Sequence, residues 1–129
     1  MALLTLTTLL FGVCSQYDPG VMESVIRVRQ SGRTAMNLPT NLPRVDGYVA
    51  LKECSDIGKI VWMRKLGSDK WESFYVVDCA GIKDGGRDWM ERNNIVAEID
   101  GDTARRWDVV GRGFNVEIMM FKHVSSLAN

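Results

Sequence analysis

Apolar and polar positions change rhythm several times along this chain, and each rhythm predicts a different element. Phe11 to Tyr17 reads as a strand, closed by the strong turn signal Asp18-Pro19-Gly20. Val21, Val25 and Val28 then fall at helical spacing with Met22 and Ile26 beside them, which predicts a short amphipathic helix over Val21 to Arg29. Gly32 to Arg44 carries Pro39 and Pro43, which forbid a central strand, so an irregular loop is expected. From Val45 the β signals dominate. Gly47 to Leu51 is a short apolar run, and Lys59 to Arg64 is β-branched and aromatic. Trp71 to Cys79 is the strongest strand signal, and a turn at Gly67-Ser68-Asp69 makes a hairpin of it with Lys59 to Arg64. Gly81 to Gly86 predicts a loop, and Ile95 to Ile99 a further short strand. Asp100 to Trp107 reads as a short helix, capped by Asp100 or Asp102 and ended by a left-handed Gly111. Phe114 to Phe121 is the closing strand. The fold class expected from this order is all-β with short helices.

The stretch before these elements changes the picture least. Met1 to Val13 is almost wholly apolar but too short for a transmembrane helix, which needs about 20 residues, so no stable membrane span is expected. It resembles the apolar region of a secretory leader, although no Lys or Arg precedes it. The other reading is that Leu3 to Val13 leads into the first strand. On this basis residues 1–11 are set apart as an apolar N-terminal segment, and 12–124 are expected to form a single domain.

Composition narrows the functions. The 129 residues hold 16 Lys plus Arg and 16 Asp plus Glu, a formal net charge of zero. A nucleic-acid protein needs a basic surface to neutralise phosphates, so no nucleic-acid partner is expected. A neutral glycan remains compatible. The cysteines are Cys14, Cys54 and Cys79, with His123 the single histidine. No pair has metal-ligand spacing, so neither a metal nor a cofactor is expected. Cys54 and Cys79 flank the hairpin and are the disulfide candidate, the alternative being two buried thiols. The oligomeric state stays open.

A faint repeat runs through the chain. Val49-Ala50, Ile57-Gly58-Lys59 and Val61 are echoed by Val96-Ala97, Val110-Gly111-Arg112 and Val116. Two such halves suit a barrel with a pseudo-twofold axis, in which strands of each half complete the other's sheet and remove free edges.

These residues also carry a family resemblance. Ser73-Phe74-Tyr75-Val76-Val77-Asp78-Cys79-Ala80-Gly81 resembles the barrel segment of rare lipoprotein A-like proteins, where an apolar strand ends in Asp before a Gly-containing loop. Ala97-Glu98-Ile99-Asp100-Gly101-Asp102-Thr103-Ala104 is similar to that family's Asp-opened short helix, and Val110-Gly111-Arg112-Gly113 to its ending. Gly12-Val13-Cys14-Ser15-Gln16-Tyr17 resembles the first strand of these barrels and of expansins. The resemblance implies a six-stranded double-psi β-barrel, secreted or at the cell surface, acting on or binding a glycan such as peptidoglycan. Two positions depart from the pattern. The segment Val49-Ala50-Leu51-Lys52-Glu53 lacks the family's histidine, and Cys79-Ala80-Gly81 lacks the expansin aromatic.

The resemblance also implies a site. Cleaving a glycosidic bond needs a proton donor for the leaving oxygen, and a second carboxylate can stabilise positive charge on the sugar. Asp78 would be the acid/base, Asp100 its assistant and Ser15 an orienting hydroxyl, with Tyr17, Trp71 and Trp89 binding sugar. A lytic transglycosylase-like reaction needs only one acid/base, because the sugar's own hydroxyl is the internal nucleophile. Asp78 and Asp100 are expected on one cleft, with Asp78 the more buried because it ends an apolar strand. Each residue also has a structural reading. Asp100 serves equally as a helix cap, Asp78 as an anchor for the amides near Gly81. Trp62 and Trp107 fit a buried core. Asp84-Gly85-Gly86-Arg87-Asp88 lacks a full calcium ligand series and reads as a turn. Arg105, Arg106 and Arg112 read as a solvated face. A non-catalytic structural or protein-interaction barrel is therefore the alternative function.

Overall fold

The computed structural model describes residues 2–81 and 84–125. Six strands alternate with short helices: β1 (Ala2–Gln16), α1 (Val21–Gln30), β2 (Gly47–Leu51), β3 (Ile60–Lys65), β4 (Glu72–Cys79), α2 (Gly86–Arg92), β5 (Ile95–Ile99), α3 (Gly101–Arg106) and β6 (Phe114–Ser125). A 3₁₀ turn, Cys54–Asp56, lies between β2 and β3. The strands close into a barrel in the order β1-β5-β2-β4-β3-β6, so the chain is predominantly β, as its patterning predicts. β1 runs parallel to β5 and β2 parallel to β4. The other four ladders are antiparallel.

This order maps onto itself when each strand of the first half is exchanged for the strand three places on. The faint sequence repeat is the trace of that symmetry. Val49-Ala50 lies in β2 and Val96-Ala97 in β5, while Val61 and Val116 lie in β3 and β6. The two Gly-basic pairs between them are matching turns: Gly58 has φ 94° and Gly111 φ 76°, a region that favours glycine.

Alternation along the strands fills the interior. Cys14, Val49, Leu51, Val61, Met63, Phe74, Val76, Ala97, Ile99, Val116 and Ile118 form one core with Ala104, Trp107 and Val109. Trp62 does not join it. Val61 and Met63 are fully buried on either side, so period-two geometry turns Trp62 outward, where it is 40% exposed. Trp107 is buried as expected, edge-on to Phe74 at 5.5 Å and to Phe114 at 5.9 Å. Its indole Nε1 donates to Glu72 Oε2 at 2.6 Å, and Arg106 donates to Glu72 Oε1 at 2.5 Å. The α3 segment thus stoppers one end of the barrel. On the outer wall, Met22 and Ile26 of α1 pack with Leu38, Tyr75 and Val77.

Several local expectations are corrected. The first strand is longer than Phe11 to Tyr17: the apolar stretch from Ala2 belongs to β1 and pairs with β6 as far as Cys14. The segment Asp84 to Asp88 is not a plain turn. Gly85, with φ 81°, opens α2, and Arg87 and Asp88 are helical. Ile82 and Lys83 of the expected loop lie outside the described residues. α3 ends before Gly111, because Asp108 itself takes the left-handed conformation at φ 58°. Asp and Asn tolerate that region better than most side chains. Arg106 is bound to Glu72 rather than merely solvated. Among the described residues no helix is long and apolar enough to cross a membrane.

Cys54 and Cys79 form a disulfide with Cα atoms 4.9 Å apart, tying the 3₁₀ turn to the end of β4. Cys14 is the free cysteine and is buried. Burial pushes its thiol pKa well up, which leaves it inert.

A Cβ on Gly47 would meet Thr103 Oγ1 at 2.4 Å and Phe74 Cε2 at 2.6 Å. Gly47→Ala should therefore cost about 1–3 kcal/mol by overpacking. At Gly101 the nearest atom would be Pro19 Cα at 3.4 Å, so Gly101→Ala should be neutral or slightly stabilising, since Ala is the better helix former. Urea unfolding of both variants checks the contrast. Replacing both Cys54 and Cys79 by Ser opens a loop of sequence separation 25. It should lower stability by about 3–4 kcal/mol, measured the same way.

Candidate functional site

Four adjacent strands carry the site in one register row. Ser15 of β1 stands opposite Glu98 of β5, Glu98 opposite Ala50 of β2, and Ala50 opposite Asp78 of β4. Their neighbours Cys14, Ala97, Ile99, Val49 and Leu51 fill the barrel, so alternation turns Ser15, Glu98 and Ala50 to the outer face. Asp78 reaches that face by a different route. Phe74 and Val76 point into the core, and strict alternation would send Asp78 inward as well. A register shift intervenes: Val49 pairs with Val76, but Ala50 pairs with Asp78, leaving Val77 as the extra residue of a bulge. The bulge re-aims the carboxylate outward.

Asp78 is held from two sides. The Tyr17 hydroxyl donates to Oδ2 at 2.6 Å, and Arg29 Nη2 donates to Oδ1 at 2.6 Å. Tyr17 is positioned where β1 ends, its own N–H donating to the Ile99 carbonyl. Arg29 comes from the last turn of α1 and also donates to the Met36 carbonyl at 3.0 Å. Burial and the hydrogen bond to Asp78 push the Tyr17 phenol well above its ordinary pKa, so it acts as a donor only. Beside this cluster lies a hollow of about 420 Å³, lined by Ser24, Val25, Val28, Arg29, Thr34 and Asp78.

Glu98 is the second carboxylate of the row, and sequence reasoning passed over it for Asp100. Its main chain lies two strand spacings from Asp78, about 10 Å. Burial raises its pKa above the usual carboxylate range, and the negative charge of Asp78 raises it further. The Ser15 hydroxyl beside it favours the charged form without reaching regular hydrogen-bond geometry. One carboxylate is thus braced by a cation and a phenol, while its neighbour is biased toward holding a proton. The signal was present in the run Ile95-Val96-Ala97-Glu98-Ile99, where a Glu sits out of phase with three core residues.

Asp100 is placed elsewhere. It accepts from the Tyr48 N–H at 2.9 Å, the Thr103 N–H at 3.2 Å and the Thr103 hydroxyl at 2.7 Å. This is the helix-cap arrangement that was the structural alternative, extended to a strand. The expected burial order is reversed: Asp100 is 4% exposed, against 15% for the Asp78 side chain. Gly47, Thr103 and Phe74 close over Asp100, whereas the bulge brings Asp78 to the surface. The candidate sugar-binding aromatics are dispersed. Tyr17 touches Asp78, as described. Trp71 is half-buried and carries the Arg64 guanidinium 4.5 Å above its ring. Trp89 lies on α2 and is 43% exposed.

No protein-family model matches the chain, and no curated protein matches it.

Glu98 generates a pH prediction. Its native pKa is raised, so its contribution to stability is fully present below the unfolded value of about 4.3 and is lost as pH rises through the native value. The unfolding free energy of the wild type minus that of Glu98→Gln should therefore fall across that window and level off above it. Urea unfolding at a series of pH values measures this, and a difference that stays constant would contradict the assignment.

Proposed function

We propose that this chain is a double-psi β-barrel of the rare lipoprotein A and expansin kind that engages a polysaccharide across the outer face of β1, β5, β2 and β4. The observation that carries the reading is the row Ser15–Glu98–Ala50–Asp78, in which two differently biased carboxylates flank a small residue. The mixed six-strand order with its internal symmetry is compatible with that barrel type. In this reading Glu98 takes the proton-donor role that the resemblance assigns to Asp78, and Asp78 takes the assisting role assigned to Asp100. Glu98 supplies the proton to the leaving glycosidic oxygen, the sugar's own hydroxyl closes on the anomeric carbon and gives its proton back to Glu98, and the Asp78 carboxyl faces the positive charge that develops on the sugar. The Ser15 hydroxyl is buried beside Glu98 and helps to position that carboxyl, in place of the sugar-orienting role the resemblance implies. The environments of the two carboxyls differ, which is the usual way one site keeps an acid and a base apart. Asp100 keeps a structural role, and Tyr17 and Arg29 position Asp78.

A secreted or cell-surface location belongs to the same proposal. It is supported by the Cys54–Cys79 disulfide, which persists in oxidising compartments, and by the burial of Cys14, which keeps the free thiol from exchange. A second reading, binding without cleavage, is favoured by one observation: both oxygens of Asp78 already hold short hydrogen bonds.

Pull-down on insoluble peptidoglycan and cellulose, with fragment release followed by mass spectrometry, tests both readings. If cleavage occurs, Glu98→Gln should lower release by 10²-fold or more, the size of a lost general acid, while leaving binding within a few-fold. Asp78→Asn should lower release as well, and Asp100→Asn, which keeps a capping side chain, should leave it nearly unchanged. Binding that both carboxylate variants weaken, with no release from any protein, would select the non-cleaving reading. Absence of binding and release in the wild type would overturn the proposal in favour of a structural or protein-interaction barrel.

A further inference from the structure

The barrel end away from α3 holds a cavity of about 370 Å³ that the glycan reading does not use. Its apolar part is formed by Leu10, Leu51, Val96 and Met120, and Thr8 of β1 stands at its side. β1 borders this cavity with an edge that lacks a strand. On one side β1 pairs with β6 along nearly its whole length. On the other side its ladder with β5 begins at Val13 opposite Ile95. Below that point the chain reaches β5 from α2 through Asn94, whose φ of 52° turns it sharply away. Asn94 and Val96 pack against Gly12, and among the described residues no strand continues beside Thr8 to Phe11 on that side.

The direction of the main-chain groups can be read from one hydrogen bond. The Val13 N–H donates to the Asn94 carbonyl at 2.9 Å, so it points to the β5 side. Along a strand these groups alternate with a period of two. The N–H and C=O groups of Phe11 and Leu9 therefore point to that same side, and Thr8 and Leu10 between and beside them line the cavity. Both side chains are exposed, Phe11 at 58% and Leu9 at 46%. An uncovered strand edge is a ready template for another strand, and proteins normally protect one with charge or proline. Here no charged residue precedes Asp18 and no proline precedes Pro19.

Charge selects the kind of occupant. The rim carries Lys52 and Lys59 against Glu53 and Asp56. Lys59 pairs with Asp56 at 2.8 Å, Glu53 with Arg87 at 2.5 Å, and Lys52 with Glu91 at 3.6 Å. The balanced rim matches an uncharged ligand and offers nothing to a polyanion or polycation. Alternating donors and acceptors at strand spacing match a peptide main chain and not a sugar ring.

We propose that this slot binds an extended, uncharged segment of a partner protein. The segment adds as a strand to the free edge of β1 and lodges one apolar side chain among Leu10, Leu51, Val96 and Met120. This is the strand-addition mode, in which main-chain bonds supply affinity and the pocket supplies selectivity.

The probe is a blocked synthetic heptapeptide of alternating threonine and valine with a central leucine, titrated into ¹⁵N-labelled full-length chain. The expected result is that the amides of Leu9 and Phe11 exchange with solvent at least tenfold more slowly, with shifts in Val96 and Lys52. The same peptide N-methylated at alternate residues, which cannot complete the ladder, should bind at least tenfold more weakly. Phe11→Pro removes an edge donor at a position where proline is tolerated, and Thr8→Lys puts a charge at the slot. Each should lose peptide binding tenfold or more while still unfolding cooperatively. Equal binding of the N-methylated peptide, no protection at millimolar peptide, or shifts confined to the Asp78–Glu98 row would overturn the proposal. So would a dimer in sedimentation that protects Leu9 and Phe11 without peptide, which would assign the edge to a second copy.

Discussion

Asp100 fastens three segments at one point. Its carboxylate takes the N–H of Tyr48 from β2 and caps α3 through Thr103, and its own N–H donates to the Tyr48 carbonyl. Because β5 runs directly into α3, this one side chain decides where α3 leaves the barrel. From there Trp107 is delivered over the core, where Glu72, Phe74 and Phe114 receive it. Gly47 is part of the same requirement, since any side chain there would occupy the space of Thr103 and Asp100. The stoppered end, the β2–β5 register and hence the Ser15–Glu98–Ala50–Asp78 row all rest on that junction. A buried carboxylate is tolerable here because the flanking helix and strand supply fixed hydrogen-bond donors in place of water.

Much of this was legible in the chain, and the failures have physical causes. The strands β2 to β5 and helices α1 and α3 announce themselves through period and capping, because each depends on residues close in sequence. The Gly-basic echo exposed the symmetry, since a left-handed turn needs glycine at the same place in both halves. What was not legible depends on partners far along the chain. The bulge at Val77 reverses the facing of Asp78, and nothing local marks it. Arg29 and Tyr17 meet Asp78 only through the third dimension. Trp62 has the aromatic bulk of a core residue, but the alternation around it points outward.

The candidate site is a case of unequal company. Asp78 lies among donors, whereas Glu98 lies among apolar strand neighbours and within reach of a negative charge. The difference in their surroundings comes from α1, which brings a guanidinium to one side of the barrel wall and not to the other. A helix that looks peripheral thereby sets the electrostatics of the outer face.

The strand order has a consequence for how the molecule is made. Every one of the six ladders joins a strand from β1–β3 to a strand from β4–β6. The first half therefore owns no sheet of its own. As the chain leaves the ribosome, β2 and β3 have no mate until β4 appears, and β1 waits for β5 and β6, which are the most distant in sequence. Throughout that delay the uncharged β1 is bare. Loop closure over nearly the whole chain must precede barrel closure, which places folding at the slow, high-contact-order end of the range. The symmetry that closes the barrel makes assembly all-or-nothing: neither half is a fragment that can fold first and shelter the other.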